Sequence, residues 1–396
     1  MKTLSDAVVE SELTYPSSDG RSVIRALLWE PAVTAVPAAT SATSASVSAA
    51  EEVTPAAPSA SATAAAEAAS AAPPAALPAA PRAVIQIVHG AAEHIARYRE
   101  FAGYLARQGF VVCGEDHVGH GASILSMEKL ACIPLHGGSD ILLDDMHQLR
   151  MLVSERHPGA PYVLLGHSMG SFMVRCYITR HGAGLAAAVL SGTSHQPTLL
   201  SNSALVLARL IAALRGEDYR SALLHNLAMG ALAKTIKPAR TRFDWLNTDP
   251  AAVDAYIADE LCGEVFSVGA YAAMAGLLLG MVDSSAAERI PKELPLLLIA
   301  GGEDPVGERG AAVRQAAEMY RQAGLQDVTE KLYPGLRHEI LNEPNRREVY
   351  QDVLNWLEAT LAGQRDAEVE LTTETLERQD AEAEVQAEVQ ERQSDE

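Results

Sequence analysis

The feature that most constrains the fold of this chain is a series of short, almost continuously apolar segments that begins near residue 83. The segments are Ala83–Val88, Phe110–Val112, Tyr162–Leu165, Ala186–Leu190 and Leu294–Ile299. Strands that are apolar at every position, rather than at alternate positions, are typical of a parallel sheet with both faces covered. Helical patterns lie between the segments. The alternation predicts an α/β fold with a mostly parallel, doubly wound sheet.

The helical patterns also have recognisable ends. Residues 139–157 carry apolar side chains at helical spacing, with Ser139 and Asp140 as predicted caps. Residues 98–108 and 309–323 are predicted helices as well, and a glycine follows each of them. These helices are the crossovers that a parallel sheet requires.

The segment Gly166-His167-Ser168-Met169-Gly170 stands where a buried strand meets a helical pattern. A strand, a sharp turn with this glycine spacing and a helix form a nucleophile elbow. Only glycine fits the two outer positions, and the serine oxygen lies at a helix N-terminus, which favours negative charge. We therefore predict that Ser168 is a catalytic nucleophile. The alternative is a plain tight turn with an exposed serine.

Ser168 needs a base, because a serine hydroxyl is a weak nucleophile at neutral pH. After such an elbow, the acid and then the histidine follow the serine along the chain. His338 is the only histidine in the last part of the chain, in a loop after the predicted strand Val328–Leu332. The acid is expected after Leu294–Ile299, where we prefer Asp304 to its neighbour Glu303. Its predicted role is to orient His338.

Acyl transfer also needs N–H donors for the oxyanion. The backbone amide of Met169, directly after the nucleophile, is one predicted donor, and the amide of Ala91, in the loop after the first buried strand, is the other. His89 and His94 flank this loop. They could suggest a metal, but no third ligand stands at a suitable spacing, so we expect them to shape the loop.

Several motifs of this chain recur together in one known family. They are His-Gly-Ala-Ala-Glu-His at 89–94 with Arg97-Tyr98, Asp-His-Val-Gly-His-Gly-Ala-Ser at 116–123, Leu-Leu-Gly-His-Ser-Met-Gly at 164–170, Glu-Asp-Pro-Val at 303–306 and Arg-His-Glu at 337–339. In order and spacing, the chain from 83 to 345 resembles the monoacylglycerol lipase and lysophospholipase branch of the α/β-hydrolases. Residues 243–246 and 259–263 resemble bacterial members.

The resemblance implies an α/β-hydrolase fold with an inserted helical cap. It also implies a triad of Ser168, Asp304 and His338, with the amides of Ala91 and Met169 as the oxyanion hole. Lipid specificity does not carry over, because the cap is the most variable part of such enzymes.

We predict six segments along the chain. Residues 1–32 are N-terminal strands of the core, 33–82 an Ala/Pro/Ser-rich flexible insertion, 83–192 the first part of the core, 193–290 the helical cap, 291–364 the second part of the core and 365–396 an acidic disordered tail. The two low-complexity segments lack enough large apolar side chains to offset the entropy of ordering them.

Charge, cysteines and motifs exclude several classes of protein. The formal net charge is −20, and no basic stripe supports nucleic-acid binding. Four cysteines lie far apart with no CxxC pair, which argues against a disulfide framework or a zinc site. We expect no cofactor, because neither a dinucleotide loop nor a P-loop lysine is present. The start of the chain lacks the apolar region of a secretory signal, which predicts a cytoplasmic protein.

The predicted activity is hydrolysis of carboxylic esters, with monoacylglycerols or lysophospholipid-like lipids as substrates. The apolar segment Ala204–Leu214 has three interpretations: an acyl tunnel, a peripheral membrane contact, or ordinary cap core. Two other functions stay open, an amidase or peptidase with the same triad and a silent binding protein on a hydrolase scaffold. An epoxide or haloalkane hydrolase is disfavoured, because it needs a carboxylate at position 168.

Overall fold

The computed structural model describes residues 2–5, 7–32 and 80–364, and they contain a single nine-stranded sheet. The predicted insertion, apart from residues 80–82, and the predicted tail lie outside the described residues. The strands are β1 (Lys2–Ser5), β2 (Val8–Pro16), β3 (Val23–Pro31), β4 (Val84–Val88), β5 (Val111–Asp116), β6 (Tyr162–His167), β7 (Ala187–Ser191), β8 (Leu296–Gly301) and β9 (Val328–Tyr333).

Most of the sheet is parallel, as the apolar segments predict. The strand order is β1-β2-β3-β5-β4-β6-β7-β8-β9. The pairings from β5 to β9 are parallel, and the three that involve β1, β2 and β3 are antiparallel. The predicted fold class, a mostly parallel doubly wound sheet, is therefore confirmed.

The central strands are buried on both faces, which explains why they are apolar throughout. In β6, Leu164 belongs to one hydrophobic cluster, and its neighbours Val163 and Leu165 belong to another on the opposite face. Alternate residues of a strand point to opposite faces, so each face receives its own set of apolar side chains. Both faces are therefore covered by helices.

The helices of the core lie on both sides of this sheet. They are α1 (Arg99–Ala106), α2 (Gly138–Arg156), α3 (Met169–His181), α9 (Ala311–Gln322) and a last helix over residues 346–364. The predicted caps of α2 were wrong, because Gly137 is the N-cap residue and adopts a left-handed conformation with φ 70°. Ser139 and Asp140 instead lie inside the first turn. Strands β1, β2 and β3 lie within residues 1–32, and β2 and β3 form an antiparallel hairpin whose turn contains Asp19 and Gly20.

Between β7 and β8 the chain forms five helices. They are α4 (Thr198–Arg215), α5 (Ala222–Ala233), α6 (Pro250–Ala258), α7 (Val268–Met281) and α8 (Ser284–Ala287). Helix α7 is buried along most of its length and packs against both α3 and α4. Helix α4 is mostly exposed, and within the described residues it is the one helix whose length and hydropathy would let it cross a membrane. Helices α4, α5 and α7 contribute to the wall of the cavity described below.

Candidate active site

Ser168 lies at the turn between β6 and α3, with backbone angles φ 53° and ψ −122°. A positive φ is uncommon for any residue other than glycine, and here the surrounding backbone enforces it. The Ser168 N–H donates to the Ser191 carbonyl at 2.9 Å, and the Ser168 carbonyl accepts from the Ser171 hydroxyl at 2.6 Å. The serine is thus held at the end of the strand, half-buried, with its side chain facing a cavity.

The two outer glycines of this turn are required by close backbone contacts. A Cβ on Gly166 would lie 2.4 Å from the Gly170 carbonyl oxygen. A Cβ on Gly170 would lie 2.0 Å from the carbonyl oxygen of Val88, in β4. Both contacts are with backbone that cannot rotate away. The tight turn that the sequence predicts at 166–170 is therefore the observed one.

His338 and Asp304 are adjacent, although 34 residues separate them in the sequence. His338 Nδ1 lies 2.9 Å from Asp304 Oδ2, and both side chains are buried. The other Asp304 oxygen accepts the Val306 N–H at 2.9 Å, which fixes the carboxylate. Burial opposes protonation of His338, but attraction to Asp304 and their hydrogen bond outweigh it. The pKa of His338 therefore lies above its ordinary value.

Glu303, the alternative acid, lies elsewhere. It forms an ion pair with Arg309 at 3.2 Å, and more than half of each side chain is exposed. The chain turns sharply after β8, so the side chain of Asp304 faces His338 and that of its neighbour faces solvent. The structure therefore pairs Asp304, not Glu303, with the histidine.

The two predicted oxyanion donors lie at the same cavity as Ser168. Met169 is the first residue of α3, and the first amides of a helix have no partner within it. Ala91 lies in the loop after β4, and both residues line the cavity. The loop approaches the nucleophile closely, because a Cβ on Gly90 would lie 3.1 Å from the Ser168 Cβ. The arrangement offers backbone N–H groups beside the serine.

A buried cluster of charges that the sequence analysis did not assign supports this loop. Glu93 accepts the Gly90 N–H at 2.6 Å and the Tyr98 hydroxyl at 2.8 Å. Arg97 pairs with Glu93 and makes two bonds of 2.7 Å to Glu339, the residue after His338. The four-residue spacing between Glu93 and Arg97 could have predicted that these two opposite charges pair. No sequence pattern predicts the pairing of Arg97 with Glu339, because the two residues are 242 positions apart.

This cluster keeps Glu93 ionised. Burial would raise the pKa of Glu93, but the Arg97 guanidinium and the hydrogen bonds outweigh burial and hold that pKa below its ordinary value. The two carboxylates and one guanidinium thus link the loop after β4 to the loop that carries His338. Such a network fixes the distance between the two loops.

Histidines behind the loop are structural, as predicted for His89. The His89 and His117 rings stack with centroids 3.8 Å apart, and His89 Nε2 accepts the His117 N–H. Burial and the neighbouring histidines hold the pKa of His89 well below its ordinary value. Asp116 accepts the Ala122 N–H at 2.8 Å and so holds the turn that follows β5.

The cavity in front of Ser168 has a volume of about 800 Å³ and mainly apolar walls. It is lined by Ser168 and His338 from the core and by residues of α4, α5 and α7, among them Leu200, Leu207, Leu224 and Met274. A cavity of this size accommodates a ligand with a long apolar part. The exposed side of α4 carries Leu199, Leu210 and Leu214. Helix α4 therefore contributes both to the cavity wall and to the outer surface.

The loop of His338 also contacts the segment before α6. The Trp245 and His338 rings lie 5.1 Å apart, and the Glu339 N–H donates to the Leu246 carbonyl at 2.8 Å. Arg337 donates to the carbonyl of Asn247 at 2.9 Å. The cap-like helices and the histidine loop are thus joined directly beside the cavity.

The chain is similar to known proteins over most of its length. A model of the family described as serine aminopeptidase, S33, matches residues 79–345. The chain is 32% identical to the monoacylglycerol lipase of Mycolicibacterium smegmatis over 290 residues, which cover 70% of this chain and 88% of that protein. It is 28% identical to human monoglyceride lipase over 266 residues, or 66% and 77% of the two chains.

A solved structure is similar as well. It is that of a highly thermostable carboxyl esterase from Bacillus coagulans in complex with glycerol. The TM-score is 0.71 at 28% identity, and the match covers 89% of this chain and 99% of that one.

Proposed function

The chain belongs to the serine aminopeptidase S33 family and has the α/β-hydrolase fold, and from this premise we propose that it cleaves carboxylic esters of monoacyl lipids. Relatives that are a monoacylglycerol lipase, a monoglyceride lipase and a carboxyl esterase support ester hydrolysis. One observation carries the proposal. A serine in a strained elbow and a histidine bonded to a buried aspartate face one apolar cavity.

In the proposed first step, Ser168 Oγ attacks the ester carbonyl carbon while His338 Nε2 takes the hydroxyl proton. Asp304 keeps the other proton of the ring on Nδ1, which leaves Nε2 free to accept, and it stabilises the imidazolium that forms. The negative charge on the carbonyl oxygen is received by the amides of Met169 and Ala91. When the carbon–oxygen bond breaks, His338 returns the proton to the leaving alcohol.

The second step releases the acid. The acyl group is then bound to Ser168 as an ester, and His338 takes a proton from a water molecule that attacks this carbonyl. The same two amides receive the charge, and the proton passes to Ser168 when the acyl–serine bond breaks. Both steps use the same groups in the same positions, so one site is sufficient for the whole reaction.

The preference for monoacyl lipids rests on the cavity. Its walls are mainly apolar, and they come from α4, α5 and α7, which we propose to be a cap over the site. Transfer of an acyl chain from water to such walls is favourable by roughly 0.8 kcal/mol for each methylene group. The exposed leucines of α4 fit peripheral contact with a lipid surface that supplies the substrate. Cytoplasmic location stays a prediction.

The experiment is a panel of substrates with a Ser168→Ala variant as the blank. Long-chain monoacylglycerols, lysophospholipids, short acyl esters and aminoacyl anilides would be compared at equal concentration. We expect long-chain monoacyl esters to be preferred and activity to fall at least about 10³-fold in the variant. Full activity of Ser168→Ala would refute the nucleophile. Release of aniline without ester cleavage would favour a peptidase instead.

A further inference from the structure

Three side chains that can bind a metal meet where the cap contacts the loop after β4. His94 follows that loop, and Asp259 and Cys262 lie just after α6. One donor atom from each of the three lies within 4.8 Å of the other two. Among the residues that the structure describes, this is the one group of three such side chains with donor atoms so close. Sequence spacing could not reveal it, because His94 and Asp259 are 165 residues apart.

We propose that His94, Asp259 and Cys262 bind a divalent transition metal, with Zn²⁺ preferred, and that water completes the site. Imidazole nitrogen, carboxylate oxygen and thiolate sulfur are the three ligand types that Zn²⁺ takes in proteins. Three protein ligands and one water form a common tetrahedral set. The proposal does not depend on the reaction that the cavity carries out.

The geometry needs only a small adjustment. His94 Nε2 already lies 2.8 Å from Asp259 Oδ2, so a metal would take the place of the proton between them. Metal–ligand bonds of about 2.0–2.3 Å require donor atoms that are roughly 3.3–3.8 Å apart, so His94 and Asp259 have to separate by about 0.5 Å and Cys262 has to approach by about 1 Å. Gly263, next to Cys262, has a φ of +73°, and the segment is a loop. The proposal requires this loop to shift by that distance when the metal binds.

Access and charge also favour a cation. The Asp259 side chain is 35% exposed, which leaves an entry path and room for a water ligand. The charged groups that face the cluster are Arg97, Glu93 and Glu339, besides Asp259 itself. Three carboxylates against one guanidinium leave the region negative. A Zn²⁺ ion with one thiolate adds a single positive charge, and the thiol proton is released to water.

A metal here would connect the cap to the loop that carries the proposed oxyanion donor. The Ala92 carbonyl, one residue after Ala91, already accepts the Tyr256 hydroxyl and the Gly263 N–H, each at 2.9 Å. The His94–Asp259 bond is already a third link between the same two segments, and the metal would replace it with one that also includes Cys262. Because it binds the folded arrangement and not the separated segments, it should stabilise the protein by an amount that rises with the logarithm of the metal concentration above the Kd.

The test uses Co²⁺ as a spectroscopic substitute for Zn²⁺ on the full chain carrying Ser168→Ala. We expect one Co²⁺ per chain and a thiolate-to-cobalt charge-transfer absorption in the near ultraviolet. Zn²⁺ should displace it. Cys262→Ser should abolish the absorption, and the matched control Cys132→Ser should retain it. An unchanged spectrum in Cys262→Ser, or no cobalt–thiolate absorption in the parent, would overturn the proposal.

Thermal unfolding provides the second measurement, because it does not require a coloured metal. Zn²⁺ should raise the Tm of the parent and of Cys132→Ser, with smaller rises in Cys262→Ser and His94→Gln. The Tm of Cys262→Ser and of His94→Gln is first measured without metal and compared with that of the parent, so that a folding defect would be visible. Equal Zn²⁺-dependent rises in all four proteins would show that the metal binds elsewhere. Neither outcome bears on ester hydrolysis, which the substrate panel tests separately.

Discussion

His338 has two protonation states, and only the neutral one can serve as the base. Its ring is buried between Asp304, Trp245 and His167. Burial disfavours the imidazolium, whereas the Asp304 carboxylate favours it more strongly, so the pKa of His338 is raised above 6.5. His167 differs, because burial and the neighbouring His338 lower its pKa to about 4. The two adjacent histidines thus titrate in different ranges.

The first prediction follows from this raised pKa. As pH falls through the pKa of His338, the base becomes protonated and kcat/KM should decline, with the half-maximal value above pH 6.5. The measurement is kcat/KM for a short-chain ester across the pH range in which the protein stays folded. A profile that remains flat well below pH 6.5 would contradict a role for His338 as the base. His167 should contribute little to this profile near neutral pH, because its pKa is about 4.

The second prediction concerns the acid. Asp304→Asn keeps the shape of the side chain but stabilises the wrong tautomer of His338, so kcat should fall by about 10⁴-fold. The neighbouring Glu303→Gln is the matched control, since that side chain is exposed and pairs with Arg309. Its kcat should stay within about twofold of the parent. Steady-state kinetics on one ester decides between the two, and a larger loss in Glu303→Gln would mean that the wrong acid has been assigned.

At the scale of elements, the site depends on how closely α3 approaches β4. Gly170 lies in the first turn of α3, and its missing side chain lets the helix start against the Val88 carbonyl. The same approach places the Met169 amide beside the loop after β4. The position of one proposed oxyanion donor is therefore set by packing between a helix and a strand.

The third prediction tests this contact. Gly170→Ala would place a Cβ 2.0 Å from a backbone oxygen, so the free energy of unfolding should drop by about 3 kcal/mol and activity should fall with it. Gly363→Ala, in the last helix, is the control, because no atom lies within 4 Å of the added carbon. Urea unfolding curves for both variants give the comparison. Equal stability of the two variants would show that α3 can shift at little cost.

At the scale of the whole molecule, the cavity is formed by parts that are distant along the chain. Ser168 and His338 come from the segments that follow β6 and β9, and much of the apolar wall comes from α4, α5 and α7. Within α4, Leu207 lines the cavity, whereas Leu214 is 83% exposed on the outer surface. The cavity side of this helix fits the acyl-tunnel interpretation and its exposed side fits a membrane contact, and both interpretations stay predictions.

The fourth prediction uses these two faces. Leu207→Trp should fill part of the cavity and lower kcat/KM for a long-chain monoacylglycerol by about tenfold or more, while a short ester is affected less. Leu214→Trp changes the same residue type on the outer face and should leave the ratio of long-chain to short-chain activity unchanged in detergent solution. The ratio is measured with both variants against the parent. An unchanged ratio in Leu207→Trp would mean that the acyl chain binds elsewhere.

Local patterns in the sequence were sufficient to predict where the central strands of the sheet lie. Each of the five apolar segments overlaps a strand, although four of them begin one or two residues before the strand and four of the strands extend past the end of the segment. The turn at 166–170 could also be predicted, because glycine spacing between a strand and a helix is a contiguous signal. The choice of Asp304 over Glu303 relied on strand position alone, and the structure places Asp304 beside His338. Their catalytic roles stay predictions until the variants are measured.

The sequence by itself determined the features that depend on neighbouring residues. These are the buried strand segments, the position of the elbow turn, and the order in which serine, acid and histidine follow one another. Only the tertiary structure decided which distant residues meet. It paired Arg97 with Glu339, brought Asp259 and Cys262 to His94, and turned one face of α4 toward the cavity. The physical reason is that hydrophobic periodicity and turn chemistry act over a few residues, whereas these contacts depend on how separate elements pack in three dimensions.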